Sequence, residues 1–203
     1  MPAEMDRVGT RAVTEQGYAV DRDARSRLKD QQARVLWLTG LPGAGKSTIA
    51  DALDRRLFEL GLHTYVLDGD NVRSGLNSDL GFAPADRAEN VRRVAEVARL
   101  LFDAGLVVIV ALVSPFRGDR EAARGLFDDG DFLEVWVNTP FAVCSRRDPK
   151  GLYARARAGT LPDMTGVGQN YEEPENPHLV VTGTGALEET VHRLVAAVVP
   201  AAR

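Results

Sequence analysis

Cysteine is almost absent from this sequence, since Cys144 is the only one among 203 residues. One cysteine can form neither an internal disulfide nor a zinc site built from several thiolates, which is compatible with a reducing cytosol. Positive charge is not in excess either, because 25 Lys and Arg stand against 29 Asp and Glu, a net charge of −4. The chain as a whole therefore lacks the basic surface typical of proteins that bind nucleic acids or anionic membranes.

Long apolar runs are also missing. The longest extends from Leu106 to Val113, far below the roughly 20 residues that a membrane-spanning helix needs. The polar N-terminus has no signal-peptide core, so we expect a cytoplasmic protein that acts on neither membranes nor nucleic acids. The length and the 44% hydrophobic content suit one α/β domain.

The first part of the chain differs from the rest. Residues 1–20 show no apolar periodicity, and we expect a mobile extension there and a single domain over residues 21–203. The charged stretch at residues 21–30 predicts a short solvated helix.

From Val35 onward, apolar runs of strand length alternate with amphipathic stretches of helix length. This alternation predicts a parallel sheet covered by helices on both faces. The predicted strands are Val35–Thr39, Thr64–Leu67, Val107–Val113, Phe132–Val137 and Leu179–Val181. The predicted helices are Lys46–Leu60, Ala85–Asp103, Arg120–Phe127, Pro140–Arg147 and Ala186–Val198. Between Asp148 and Pro177 the pattern breaks, which is typical of a functional lid or a disordered insert.

A phosphate-binding motif, GxxxxGK[ST] or Walker A, follows the first predicted strand and opens a predicted helix, which is the context it requires. Its glycines let backbone N–H groups converge on phosphate oxygens at a helix N-terminus. We expect Lys46 to reach the β- and γ-phosphates and the Ser47 hydroxyl to bind Mg²⁺. The residues expected to hold the nucleoside triphosphate here are Gly40, Leu41, Pro42, Gly43, Ala44, Gly45, Lys46, Ser47 and Thr48.

A second polar cluster, Asp68, Asp70 and Arg73, follows the second predicted strand. Parallel α/β sheets bind ligands at this edge. A carboxylate there can accept a hydroxyl proton or orient Mg²⁺, and an arginine can pair with an anionic acceptor. The sequence has no NKxD motif for reading guanine, so a small-molecule kinase is favoured over a GTPase.

Beyond these motifs the sequence resembles the adenylylsulfate kinases, which use ATP to phosphorylate the 3′-hydroxyl of adenosine 5′-phosphosulfate in sulfate assimilation. The resemblance runs from residue 21 to the C-terminus. It rests on VLWLTGLPGAGKST (35–48), LDGDNVRSGLNSDLGF (67–82), DRAENVRRVAEVARLLFDAG (86–105), SPFRGDR (114–120), TPFAVCSRRDPKGLYARARAG (139–159) and TGVGQNYEEP (165–174). It implies the three-layer α/β fold of P-loop NTPases, with a mainly parallel five-stranded sheet, flanking helices, a lid segment at about residues 146–177, and a homodimer.

The resemblance also assigns roles by position. Arg73, Arg87 and Asn90 match residues that hold the phosphosulfate and adenosine of the acceptor, and Phe82 matches an aromatic that stacks on its adenine. Asp68 and Asp70 match carboxylates near the reacting hydroxyl and Mg²⁺, with Asp68 binding the ion directly or through water. The candidate catalytic residues are thus Lys46, Asp68, Asp70 and Ser114.

Ser114 matches a position at which the family is known for a phosphoserine. Transfer between two anionic nucleotides needs positioned cations more than covalent help, so direct in-line transfer, with Ser114 contacting the substrate, is the preferred interpretation. Arg146 and Arg147 match lid residues over the nucleotide, and Lys150 matches a lid residue that faces the acceptor.

Some positions depart from the family. Pro42 stands where serine is usual, Ser74 where histidine is usual, and residues 167–170 are altered. Met164 replaces a phenylalanine that forms the second half of an aromatic clamp on the acceptor's adenine, and methionine offers less area and less rigidity. Two alternatives follow: a kinase for another small anionic or nucleotide acceptor, and a nucleotide-binding regulatory subunit without transferase activity.

Overall fold

The structure is a computed structural model in which residues 16–199 are described. Most of the extension expected at residues 1–20 lies outside the described residues, as do residues 200–203. Within residues 16–199, no helix is both long enough and apolar enough to cross a membrane.

Five strands form one sheet. They are β1 Arg34–Thr39, β2 Thr64–Asp68, β3 Val107–Ala111, β4 Phe132–Val137 and β5 Leu179–Val181. The strand order is β2-β3-β1-β4-β5, and every neighbouring pair is parallel. All five strands were predicted; β3 ends two residues before the predicted Val113 because the chain turns away from the sheet towards Ser114, whose φ is 38°.

Eight helices are present between residues 16 and 199. They are α1 Arg22–Leu28, α2 Lys46–Glu59, α3 Gly69–Ser74, α4 Pro84–Asp103, α5 Arg117–Arg124, α6 Phe141–Arg147, α7 Leu152–Arg157 and α8 Leu187–Val198. The short solvated helix expected at residues 21–30 is α1. The prediction for α5 was displaced, since this helix begins at Arg117 rather than Arg120 and ends before Phe127.

The core consists of two apolar layers, one on each face of the sheet. On β1, Leu36 and Leu38 face the side covered by α2 and α8, whereas Val35 and Trp37 face the side covered by α4. Successive side chains of a strand point to opposite faces, and all four are fully buried. This confirms a three-layer α/β fold with helices on both faces of the sheet.

The parallel arrangement brings the carboxyl ends of all five strands to one edge. The phosphate-binding loop follows β1, α3 follows β2, and Ser114, Thr139 and Thr182 follow the other three strands. Open α/β sheets bind ligands at this edge. The fold thus places every predicted polar cluster on the same side of the molecule.

The lid segment, residues 146–177, is more regular than expected. It contains the helix α7 and an isolated bridge between Thr165 and Gln169. No helix was predicted between Asp148 and Pro177, and α7 was missed because its six residues are too few to give a periodic pattern.

Candidate active site

A cleft of about 700 Å³ opens at the carboxyl edge of the sheet, within the size range of small-molecule sites. It is bounded by the loops after β1, β2, β3 and β5 and by the lid segment. The predicted site residues that line it are Pro42, Gly43, Gly45, Lys46, Ser47, Thr48, Asp68, Asp70, Arg73, Phe82, Arg87, Asn90, Ser114, Arg147, Lys150 and Met164. Arg146, in contrast, is exposed and does not line the cleft, because it lies on a different side of α6 from Arg147.

The phosphate-binding loop has a backbone that requires glycine. A Cβ at Gly40 would lie 2.6 Å from the carbonyl oxygen of Val137, and Gly45, which caps the N-terminus of α2, has a φ of 105°. Side chains at these positions would obstruct β4 or strain the loop. The loop therefore presents backbone N–H groups at a helix N-terminus, which is an anion-binding arrangement.

Lys46 lies beneath this loop and is only 8% exposed. Its Nζ donates hydrogen bonds to the carbonyl oxygens of Gly40, at 2.8 Å, and Leu41, at 2.9 Å. Burial lowers the pKa of Lys46 to about 8, while Cys144 and Asp68 oppose the shift. The fold thus holds a cation at the loop at a cost in solvation.

Ser47 and Asp68, which both line the cleft, are joined by a hydrogen bond. The Ser47 hydroxyl donates to Oδ2 of Asp68 at 2.6 Å, and Oδ1 of Asp68 accepts the backbone N–H of Asp70 at 3.0 Å, which caps α3. A hydroxyl and a carboxylate side by side provide oxygen ligands that suit Mg²⁺ when phosphate oxygens and water complete its coordination shell. Asp70, two residues further along, forms an ion pair with Lys150 of the lid segment.

Two arginines surround the ring of Phe82. The guanidinium carbons of Arg73 and Arg87 lie 4.7 Å and 5.4 Å from the ring centroid. Arg73 donates to the carbonyl oxygens of Leu80 and Gly81, and Arg87 to that of Phe82. Burial lowers the pKa of both arginines, and the charge of Arg73 contributes at Arg87. The cluster offers an aromatic face beside two partly desolvated cations, which suits an anionic aromatic ligand.

Asn90 lies on α4, 5% exposed, and its side-chain oxygen accepts a hydrogen bond of 3.0 Å from Nδ2 of Asn77. Asn77 is fully buried, and its Oδ1 has no hydrogen-bond partner among residues 16–199. Asn77 was not predicted as a site residue, because nothing in the neighbouring sequence distinguishes it from other asparagines.

Met164 belongs both to the hydrophobic core and to the lining of the cleft. It is 2% exposed and packs into the apolar layer on the α2 and α8 side. Its carbonyl oxygen accepts the N–H groups of Val167, Gly168 and Gln169. A Cβ at Gly168 would collide with the carbonyl oxygen of Pro162, so glycine is required for this tight turn. The turn fixes Met164 in the wall of the cleft.

Ser114 lies at the end of β3 with only 3% of its surface exposed. Its Oγ accepts a hydrogen bond of 3.0 Å from the indole N–H of Trp37, and its carbonyl oxygen accepts one of 2.8 Å from Arg120. The hydroxyl thus has a structural partner.

The loop after β5 was also missed as part of the site. The Thr139 hydroxyl donates to the carbonyl oxygen of Ala44 at 2.8 Å and accepts the N–H of Gly183 at 2.9 Å. Arg147 donates to the carbonyl oxygen of Gly183 at 2.7 Å. Thr139 lies in the loop after β4 and Gly183 in the loop after β5, so both loops follow the carboxyl ends of strands. Because parallel α/β sheets bind ligands at that edge, the positions of these loops in the sequence could have identified them.

Known proteins resemble this chain over most of its length. The sequence model of the adenylylsulphate kinase family matches residues 32–182. The chain is 55% identical over 177 residues to a probable adenylyl-sulfate kinase of Halalkalibacterium halodurans, covering 87% of this chain and 86% of that protein. It is 60% identical over 164 residues to the bifunctional enzyme NodQ of Rhizobium tropici, covering 81% of this chain but only 26% of that protein.

A solved structure supports the same grouping. It is the Mycobacterium tuberculosis APS kinase CysC in complex with AMPPNP and APS, with a TM-score of 0.79 and 47% identity, covering 82% of this chain and 98% of that one. The five-stranded parallel sheet and its flanking helices agree with the P-loop kinase fold of that structure. The chain belongs to the adenylylsulfate kinase family.

Proposed function

We propose that this protein transfers the γ-phosphate of ATP to the 3′-hydroxyl of adenosine 5′-phosphosulfate, which yields 3′-phosphoadenosine 5′-phosphosulfate and ADP. The observation that carries the proposal is one cleft that joins the phosphate-binding loop to the Arg73, Phe82 and Arg87 cluster. A donor site and an acceptor site with a shared wall are what direct transfer between two nucleotides requires.

On the donor side, the loop offers backbone N–H groups to the phosphates, and Lys46 lies within reach of the same position. In the structure its Nζ is held by two loop carbonyls, so we infer that it exchanges these partners for phosphate oxygens when the nucleotide binds. Arg147 and the loop at Thr182 and Gly183 line the same end of the cleft and fit the nucleoside of ATP.

Magnesium fits the residues present. Ser47 and Asp68 would hold the ion, the hydroxyl directly and the carboxylate directly or through water, since their oxygens lie 2.6 Å apart. When bound with the nucleotide, the ion supplies positive charge to the phosphates.

On the acceptor side, Phe82 offers a ring face to a purine and the two arginines offer positive charge to a phosphosulfate group. Met164 also lines the cleft, and it offers a flexible thioether instead of a second ring. Such a side chain packs on a purine with less rigidity than an aromatic ring. We expect the acceptor to bind in this pocket with adenine beside Phe82.

Asp70 is the better candidate for the general base. Both oxygens of Asp68 are engaged by Ser47 and by the N–H of Asp70, whereas the one hydrogen-bond partner of the Asp70 side chain within residues 16–199 is Lys150. In the reaction the 3′-oxygen bonds to the γ-phosphorus, the bond from that phosphorus to the β,γ-bridging oxygen breaks, and Asp70 takes the hydroxyl proton. For this role Asp70 must exchange its ion pair with Lys150, a residue of the lid segment, for the acceptor hydroxyl.

Direct transfer is favoured over a phosphoserine intermediate. The Ser114 hydroxyl is buried against Trp37 and has no general base among its hydrogen-bond partners in residues 16–199. An attacking serine needs such a base. Ser114 therefore acts in this proposal as part of the cleft wall.

A coupled ADP-release assay with the purified protein, ATP, Mg²⁺ and a panel of hydroxyl acceptors tests the proposal. We expect turnover with adenosine 5′-phosphosulfate well above the ATP-only background. Preference for another anionic or nucleotide acceptor would favour the first alternative, and ATP binding without turnover on any acceptor would favour the regulatory subunit.

A homodimer and a cytosolic location complete the proposal. The homodimer rests on the family resemblance, and light scattering on the purified protein checks it. The cytosolic location rests on the single cysteine and the short apolar runs of the sequence.

A further inference from the structure

Arg120 is a deeply buried arginine behind the cleft, with 2% of its surface exposed. Its guanidinium donates to three segments that are separated from one another in the sequence. Nε donates to Oε1 of Glu134 on β4, Nη1 to the carbonyl oxygen of Ser114, and Nη2 to the carbonyl oxygen of Glu172, each at 2.8 Å. One rigid, planar cation thus connects the sheet, Ser114 in the loop after β3, and the lid segment.

The hydrogen bond from Arg120 to the carbonyl oxygen of Ser114 helps to fix one wall of the cleft. Ser114 is not glycine, yet its φ is 38°, a conformation that persists only when surrounding contacts impose it. The contacts here are Arg120 and Thr39 on its carbonyl oxygen and Trp37 on its hydroxyl. Because Ser114 and Pro115 line the cleft, the position of that wall depends on these partners.

The second carbonyl contact fixes the end of the lid segment. We name residues 171–175 the anchored segment. The N–H of Glu172 donates to the carbonyl oxygen of Pro115 at 2.9 Å, and its carboxylate accepts the N–H of Arg117 at 2.7 Å. The Tyr171 hydroxyl lies 3.0 Å from Oγ1 of Thr39, and the ring centroid lies 5.8 Å from the Arg120 guanidinium. The anchored segment is therefore attached to the same wall as Ser114.

We propose that Arg120 is a positioning residue that fixes the Ser114 wall of the cleft and the anchored segment to the sheet. It does not line the cleft, so it acts through Ser114, Pro115 and Glu172 and touches no substrate. Opening and closing of the lid segment is then confined to the residues before Tyr171. The effect of Arg120 on the kinetics of transfer rests on the proposed function, whereas the attachment of the anchored segment to the sheet does not.

The chain offers a matched control, because Arg124 pairs with the other oxygen of the same Glu134 carboxylate and forms no hydrogen bond with Ser114 or Glu172. Lysine keeps the charge but cannot bind three acceptors in one plane. We therefore compare Arg120→Lys with Arg124→Lys by amide hydrogen exchange and by steady-state kinetics with adenosine 5′-phosphosulfate and ATP.

For Arg120→Lys we expect the Glu172 amide to exchange about 10-fold faster or more, since charge-assisted hydrogen bonds to its segment are lost. We expect KM for the acceptor to rise about 10-fold while KM for ATP changes about twofold or less. Arg124→Lys should leave both readouts close to those of the wild-type protein. Equal effects of the two variants, or no change in exchange for Arg120→Lys, would overturn the proposal.

A measurement on the unchanged protein covers the case in which Arg120→Lys does not fold. In the wild type, the Glu172 amide should exchange as slowly as amides of β4, and much more slowly than the amide of Thr160 within the lid segment, which bonds to the carbonyl oxygen of Arg155. Exchange of Glu172 at the rate of Thr160 would contradict the anchoring. If the wild-type protein has no turnover with the expected acceptor, the proposed function fails while the exchange comparison still decides the role of Arg120.

Discussion

Lys46 is a buried lysine whose positive charge lowers the stability of the folded protein. Its pKa falls from 10.5 to about 8, chiefly through burial, which corresponds to about 3 kcal/mol against the charged form. Below pH 8 the lysine is protonated both folded and unfolded, so the folded protein bears the whole cost. As pH rises through the interval between the two pKa values, the folded state loses its proton first and becomes relatively more stable.

We therefore predict opposite effects of Lys46→Met on activity and on stability at neutral pH. Turnover should fall about 100- to 1,000-fold, as when a positioned electrostatic contact is removed. Urea unfolding at a series of pH values should show the wild type gaining about 2 kcal/mol relative to Lys46→Met between pH 7.5 and pH 10. If the difference in free energy of unfolding between the two proteins does not change with pH, Lys46 is not a buried cation with a lowered pKa.

Asn77 gives a second prediction for a single residue. Replacing it by alanine removes the donor that orients the Asn90 amide at 3.0 Å. The acceptor KM should rise about 10-fold and the free energy of unfolding should fall by about 1–3 kcal/mol, because the Asn90 oxygen loses its buried partner. Asn71→Ala, at an exposed position of α3, is the control and should change neither quantity appreciably. Equal changes in KM for ATP and acceptor would argue against a role through Asn90.

The site residues that belong to a sequence motif were predictable, whereas those that act through a distant partner were not. Lys46, Ser47 and Asp68 follow from spacing, and the structure brings them together. Asn77, Thr139 and Arg120 are polar residues whose partners lie 13, 95 and 52 residues away. Their importance depends on burial and distance in the folded chain, which no local pattern encodes.

At the scale of elements, the loop after β5 supports the phosphate-binding loop at Gly183. A Cβ there would collide with the carbonyl oxygen of Ala44 and lie 3.0 Å from Oγ1 of Thr139. We predict that Gly183→Ala displaces the phosphate-binding loop and weakens ATP binding about 10-fold or more, since phosphate contacts depend on the loop's N–H groups. Titration calorimetry with a non-hydrolysable ATP analogue measures this.

The control for that variant is Gly118→Ala, because a Cβ at Gly118 has no neighbour within 4 Å. Its ATP affinity should equal that of the wild type. If Gly183→Ala also binds ATP normally, the close approach of the two loops has no bearing on the nucleotide.

The longer elements were predictable because their periodicity extends over several turns or a full buried strand. The bounds of β4 and β5 agree with the sequence prediction, and α2 and α4 differ by one residue. The helices α3 and α7 have six residues each and were missed. Their caps come from single side chains, Asp68 for α3 and Asp148 near α7, and short capped turns give no apolar stripe.

At the scale of the whole molecule, the mean charge of the chain says little about its ligands. The net charge is −4, yet the cleft collects cations from distant segments: Lys46, Arg73, Arg87, Arg147 and Lys150. A parallel sheet makes this possible, since every strand ends at the same edge. Such a local field attracts two anionic nucleotides despite the acidic average.

The most direct test of this account compares the wild type with Asp70→Asn in the coupled ADP-release assay, with ATP, Mg²⁺ and adenosine 5′-phosphosulfate. We predict turnover for the wild type, and for Asp70→Asn a loss of about 100-fold or more in kcat with ATP affinity retained, as expected for a general base. Absence of acceptor-dependent ADP release from the folded, ATP-binding wild type would contradict the proposed function, and unchanged kcat in Asp70→Asn would contradict the role of Asp70.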